Sequence, residues 1–240
     1  MPDLLNLIKS RQSARIPFDE NKPVSQEDIQ QILEAGSWAP TAHNMQNFEV
    51  IIVDDKELLD EIRDMELPVS EAFIRENYLQ LSFTEEELKK KKTGVLGTMF
   101  PKAWLDHIVT PAKESDKVPP NIIEQHNQIY PCPTLFVILY NPQKRAPASE
   151  GDFLGIMSLG CVLENMWLMA TSLGLSVHVL SALNDERTEN EIKDMLNIPE
   201  HLKVAISFRI GYPVSDAKYT RVRRDLSDFV HHNSYSEKSF

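Results

Sequence analysis

The chain has 240 residues, 42% of them apolar and 25% charged, an ordinary composition for a folded protein large enough to bury a core without disulfide or metal staples. Its net charge of -11 repels phosphate backbones, so no nucleic-acid partner is expected, although arginines clustered locally can still hold a small phosphate. Two cysteines, Cys132 and Cys161, form no CxxC and match no zinc spacing. Both read as reduced core residues of a cytoplasmic chain, with no metal implied.

The N-terminal stretch MPDLLNLIKSRQSAR has no apolar h-region and no cleavage site, so no signal peptide is expected. Leu4, Leu7 and Ile8 predict a short amphipathic helix. Ser25 then caps a second helix, with Asp28 completing a capping box and Val24 and Ile29 forming a hydrophobic staple; this helix stops near Gly36. Residues 37–47 (SWAPTAHNMQN) are rich in small and amide side chains and predict a loop. Residues 48–53 (FEVIIV) predict a strand, followed by a helix over about 56–65.

Residues 66–130 contain no strong strand pattern and read as an insertion or lid. The tract EEELKKKK within them is a solvated helix face. Gly94, Gly97 and the prolines Pro111, Pro119 and Pro120 also lie here. Its aromatics Phe73, Tyr78, Phe83, Phe100 and Trp104 could stack over a substrate or form the insertion's own small core.

Residues 134–140 (TLFVILY) are continuously apolar, as in a strand covered on both faces. A long helix over about 152–173 follows. Ile156, Leu159, Leu163, Met166, Trp167, Ala170 and Leu173 give it an apolar face, Gly155, Ser158 and Gly160 allow close backbone approach, and Gly174 caps its C-terminus. Leu154 to Leu175 is the most apolar stretch of the chain. Glu164 and Asn165 near its middle would be costly in a bilayer, so a buried helix is expected and no membrane span. A strand near 175–183, a helix capped by Asn184, a strand over 203–210, the turn Gly211-Tyr212-Pro213 and an arginine-bearing tail complete the chain. This order predicts a mixed α+β fold, with a doubly wound parallel sheet as the alternative.

The common catalytic signatures are missing. No GxGxxG follows a strand, the spaced glycines at 155–160 lack the Lys and Ser/Thr of a P-loop, and there is neither a GxSxG elbow nor an HExxH. His231-His232 reads as exposed tail. Two clusters remain. Arg11-Gln12-Ser13-Ala14-Arg15 places two cations and a hydroxyl where they can bind a phosphate, or where they complement the dipole of the first helix. Asn44 and Gln46 stand two apart in the loop before the first strand. They suit the polar edge of a heterocycle, or simply a polar capped loop.

The RxSxR element, the Ala39-Pro40-Thr41-Ala42-His43-Asn44-Met45-Gln46 loop, the helix ending Ala170-Thr171-Ser172-Leu173-Gly174-Leu175, and the segment from Gly211-Tyr212-Pro213 to Arg221-Val222-Arg223-Arg224 occur in that order. Together they resemble the nitroreductase family. The resemblance covers roughly residues 1–60 and 131–230. It implies an α+β fold with a mixed, largely antiparallel central sheet flanked by helices, in a single domain carrying a helical insertion. It also implies FMN as cofactor, NADH or NADPH as electron donor, and an intertwined homodimer.

By that resemblance Arg11, Gln12, Ser13 and Arg15 hold the phosphate and ribityl chain, Pro40, Thr41 and Ala42 match the family's Pro and two small positions, Asn44 faces the isoalloxazine ring and Gln46 makes a second polar contact, so that the loop from Thr41 to Gln46 faces the flavin held mainly by the partner chain. Leu180, Ser181 and Ala182 lie near flavin N5. Arg221 and Arg223 close on the phosphate, with Arg224 as a substitute. Asn47-Phe48 stands where the family often has Pro-Trp, and Thr41 and Ala42 replace a common Ser pair. The expected reaction passes hydride from NAD(P)H through FMN to a nitroaromatic, quinone or similar conjugated acceptor, and solvent can supply the protons, so no catalytic side chain is assigned. A same-fold enzyme of dehalogenation or dehydrogenation, or a flavin-binding protein without turnover, is the alternative.

Overall fold

A computed structural model of the chain describes residues 3–65, 71–76, 80–97, 129–181, 183, 186–216 and 220–235. The chain divides into two compact units, residues 1–67 with 127–217, and residues 68–126 with 218–240. Each is described by itself.

In the first unit the described elements are α1 (Leu4–Ser10), α2 (Gln26–Ser37), β1 (Glu49–Val53), α3 (Lys56–Asp64), β4 (Thr134–Tyr140), α6 (Phe153–Ser172), β5 (Ser176–Leu180), α7 (Glu186–Met195) and β6 (Lys203–Gly211). In the second they are α4 (Glu71–Glu76), β2 (Ser82–Phe83), α5 (Glu85–Lys91), β3 (Val95–Leu96) and α8 (Leu226–Phe229).

The strands β1, β4, β6 and β5 form a four-stranded sheet in that order, and every neighbouring pair is antiparallel. This excludes the doubly wound parallel alternative. Side chains on β4 alternate between two cores, which explains its unbroken apolar run. Phe136 and Ile138 pack beside Ile32 of α2 and Val162 and Met166 of α6. Leu135, Val137 and Leu139 pack beside Ile62 of α3 and Ile192 of α7. The β4–β6 register shifts between Ile138 and Leu139, a bulge that moves Val204 to the second core while Phe208 and Ile210 stay in the first.

Local signals account for most boundaries. Ser25 accepts from the Asp28 amide at 3.0 Å, the side-chain half of the expected capping box. Asp55 caps α3 by accepting from the Leu58 amide at 3.0 Å. At the end of α6 the Leu175 amide reaches the Ala170 carbonyl at 2.9 Å and the Gly174 amide the Thr171 carbonyl at 3.1 Å, with Gly174 at φ +78. That is a Schellman cap of the kind only glycine adopts without strain.

Helix α6 is half buried rather than buried. Leu159, Val162, Met166 and Ala170 form its inward stripe, whereas Phe153, Ile156 and Met157 remain 66%, 53% and 54% exposed. Gly155 and Gly160, expected to admit a close neighbour, face open space among the described residues. The close approach lies instead at Gly36 of α2, where an added Cβ would meet the Met166 side chain of α6. By length and apolar content α6 could also cross a bilayer, but its inward stripe belongs to the core it shares with α2 and the sheet.

In the second unit Thr84 and Glu87 form a full capping box for α5, the helix expected from EEELKKKK, and its Leu88 is buried. The short strands β2 and β3, unanticipated in this stretch, pair in parallel. Lys92, just after α5, forms an ion pair with Asp225. Tyr78, Phe100, Trp104, Pro111, Pro119, Pro120 and the Asn184 cap fall outside the described residues, as does the side chain of Phe73.

Candidate functional site

Past α1 the chain runs extended alongside β5. Ser13 makes a parallel bridge with Val177, and the Ala14 amide donates to the Val177 carbonyl at 2.8 Å. This adds a parallel rung beside an antiparallel sheet, the mixed pattern expected. Extended backbone alternates its side chains. Ala14 is buried while Arg15 is exposed and Gln12 and Ser13 are half-buried. The guanidinium of Arg11 turns to α6, with Nε 3.1 Å from the Glu164 carboxylate and the group lying over the Trp167 ring at 4.5 Å. Arg11 is thus held by the long helix, beyond any role in capping α1.

The segment is anchored from beneath by a residue that no sequence motif marks. Arg209 of β6 is completely buried. Its Nη2 donates to the carbonyls of Ala14 at 3.2 Å and Ile16 at 2.6 Å, its Nη1 to Pro131 at 3.3 Å, and its Nε to His178 Nδ1 at 3.1 Å. The guanidinium also stacks on Phe18 at 4.2 Å and Tyr130 at 5.2 Å. A charged side chain is almost never fully buried without such partners. The available signal was a lone arginine inside the apolar strand Ser207-Phe208-Arg209-Ile210. His178 faces it from β5. Burial, then the charges of Arg209 and Arg15, lower the imidazole pKa to about 3, so the ring is neutral. The same pocket of structure contains Cys132, whose thiol burial pushes up to about 11 despite the nearby Arg209 charge. It stays protonated and unreactive at neutral pH, as expected of a core cysteine.

The amide loop is held in a strained form. His43, Asn44 and Gln46 adopt left-handed backbone, with φ of 51, 53 and 47, a conformation that costs non-glycine residues roughly 1–3 kcal/mol each and tends to persist at functional sites. Three contacts fix it. The Ala42 amide donates to Ser158 Oγ of α6 at 3.0 Å, the Gln46 amide donates to Thr41 Oγ1 at 3.1 Å, and Gln46 Nε2 donates to Asn44 Oδ1 at 3.2 Å. Asn44 and Gln46 are exposed, so the other amide groups stay accessible. Asn47, standing where a proline is frequent in the family it resembles, clamps the loop to its neighbour. Its Nδ2 donates to the Asn141 and Lys144 carbonyls at 2.9 and 3.2 Å, and its Oδ1 accepts from the Asn141 amide at 3.2 Å.

Both clusters therefore rest on α6, but on different flanks. Ser158 and Glu164 are six positions apart, about 9 Å along the axis and about 120° around it. One chain does not gather the two clusters on one side of this helix. Pro40 is exposed, Leu180 is buried at the end of β5, and Ser181 is exposed; Ala182 lies outside the described residues. Arg221, Arg223 and Arg224 belong to the second unit and are exposed, Arg224 lying over Phe229 at 5.1 Å. Among the described residues no group of His, Cys, Asp and Glu could hold a metal. The donor set fits a phosphorylated planar heterocycle, with guanidinium and hydroxyl groups on the extended segment and exposed amides on a preset loop.

The nitroreductase family model matches residues 8–212. This chain belongs to the nitroreductase family. It is 22% identical over 231 residues to an NADPH-dependent oxidoreductase of Staphylococcus aureus (strain USA300), a match covering 96% of this chain and 73% of that protein. The same fold occurs in a nitroreductase with bound FMN from Bacteroides fragilis NCTC 9343, at TM-score 0.59 and 20% identity over 97% of this chain and 100% of that one. It also occurs in a nitroreductase family protein from Clostridium difficile 630, at TM-score 0.60 and 17% identity over 97% of this chain and 99% of that one. The antiparallel sheet with its added parallel rung and the long central helix are thus the frame of a nitroreductase.

Proposed function

We propose that this nitroreductase is an NAD(P)H oxidoreductase that binds FMN and reduces a nitroaromatic, quinone or similar conjugated acceptor. The observation that carries the reading is the RxSxR segment, laid along β5 with Arg15 exposed and its backbone fastened to a buried arginine. A surface loop of no function has little need of such an anchor. The names of its relatives, an NADPH-dependent oxidoreductase and a nitroreductase with bound FMN, support donor and cofactor.

When bound, FMN supplies the ring that accepts and donates hydride. Arg11, Gln12, Ser13 and Arg15 would hold its phosphate and ribityl chain. Pro40, Thr41, Ala42, Asn44 and Gln46 would bind the ring, and Leu180, Ser181 and Ala182 would supply backbone near N5. Asn44, Gln46 and Arg15 would offer donors to a bound flavin ring, the two amides from a loop whose strained backbone is already set. Free thiols at Cys132 and Cys161 suit a reducing cytoplasm.

The reading includes a homodimer. The exposed Phe153, Ile156 and Met157 of α6 and Leu4, Leu5 and Ile8 of α1 offer apolar surface of the kind that marks an interface. A second copy would bring its amide loop to the flank of α6 that carries Arg11.

The test is the absorbance spectrum of the purified protein, with the chromophore released by denaturation, followed by NAD(P)H oxidation with a quinone. Flavin bands, released FMN and turnover are expected, with the bands lost in the Arg11→Ala, Arg15→Ala double variant. A colourless protein that takes up no added FMN would overturn the reading. A yellow protein without turnover would leave it a flavin-binding protein.

A further inference from the structure

We infer that Arg209 is a positioning residue for phosphate recognition: from inside β6 it sets the backbone that carries Ser13 and Arg15, and so gives the protein its preference for a phosphorylated flavin. The inference rests on the proposed role of the RxSxR segment. Ala14 donates to Val177 and Phe18 to Pro131, at 2.8 and 3.0 Å. The carbonyls of Ala14 and Ile16, on either side of Arg15, both accept from the single Nη2 of Arg209, at 3.2 and 2.6 Å. Two carbonyls two residues apart, held by one nitrogen, fix the peptide planes on either side of Arg15, and with them the direction in which its side chain leaves the chain.

The guanidinium cannot swing away. Phe18 and Tyr130 stack on it, the Pro131 carbonyl takes Nη1 at 3.3 Å, and His178 Nδ1 takes Nε at 3.1 Å. With Nδ1 accepting, the ring proton of His178 sits on Nε2. The neutral ring adds no competing cation beside Arg15 and leaves the phosphate to the segment. A planar fork is required, since a lysine ammonium is a point charge that cannot hold carbonyls and imidazole in one plane.

The experiment compares the dissociation constants of FMN and riboflavin, which differ only in the phosphate, for the wild type, Arg209→Lys and His178→Leu. Far-UV circular dichroism and thermal unfolding check that each variant is folded. The wild type is expected to bind FMN far more tightly than riboflavin. In Arg209→Lys, FMN binding should weaken about tenfold or more while riboflavin binding changes little, so the preference collapses. His178→Leu frees Nε and should reduce the preference by a smaller factor; it carries the test if Arg209→Lys does not fold. An equal loss for both ligands, or an unchanged preference in the folded variants, overturns the positioning role and leaves the phosphate site standing. A wild type that binds riboflavin as tightly as FMN overturns both the inference and the reading on which it rests.

Discussion

One exposed and one wholly buried arginine of the site act on the same imidazole. Arg15 is exposed and Arg209 is wholly buried, yet both charges bear on His178 between them and, with burial as the larger cause, hold its pKa near 3 against the usual 6.5. The consequence is a stability that depends on pH. Between about pH 6.5 and 3 the unfolded chain takes up a proton on this imidazole that the folded chain refuses. The stabilisation is complete above 6.5 and is lost as pH falls through that window, by at most about 1.4 kcal/mol per pH unit for one group. His178→Asn keeps an acceptor for Arg209 but cannot titrate. Urea unfolding at pH 7.5 and pH 4.5 should show a smaller loss for the variant than for the wild type; equal losses would mean that the imidazole titrates normally. None of this was legible in the sequence. His178 and Arg209 stand 31 positions apart, and only the β5–β6 register brings them face to face.

At the scale of elements, close approach decides where the chain tolerates no side chain. Gly211 ends β6 in the Gly-Tyr-Pro turn, and a Cβ there would stand 2.8 Å from Pro133 Cδ and 3.0 Å from Phe18 Cβ. Neither is the loose end of a flexible side chain. Gly211→Ala should therefore destabilise the protein by about 1–3 kcal/mol, read as a lower urea midpoint with unchanged slope. An unchanged midpoint would show that the proline and Phe18 shift freely. A turn here is legible in the sequence, but the reason for its glycine is not. Strand β4 is the opposite case. Its unbroken apolar run could be read directly as burial on both faces, because each face is covered by a helix layer. Helix α6 lies between. Its length and its Gly174 cap follow from local signals, but its periodic apolar residues could not say which stripe would be covered within the chain and which left open.

At the scale of the molecule, that open stripe and the split arrangement of the two clusters lead to the same expectation. A protomer with its RxSxR segment and its amide loop on different flanks of α6 would have an incomplete site, which the second copy of the proposed dimer would complete. Ile156→Glu places a charge in the exposed apolar surface without touching the core stripe of α6. In sedimentation or light scattering it should lower the mass from dimer to monomer and, with it, FMN retention. A monomeric wild type that binds FMN fully would remove the dimer from the proposal.

The sequence by itself determined the main elements of the first unit and their order, because caps, glycine stops and apolar periodicity act within a few residues of one another. It also determined the family, through four short motifs in a fixed order. Tertiary structure decided everything that needs a distant partner. It set the antiparallel order of the strands, fastened Asn47 to residues 94 and 97 positions away, and put the carbonyls of Ala14 and Ile16 on a guanidinium 195 and 193 positions along the chain. A buried charge must be satisfied wherever the fold supplies acceptors, and no local pattern records where those will be.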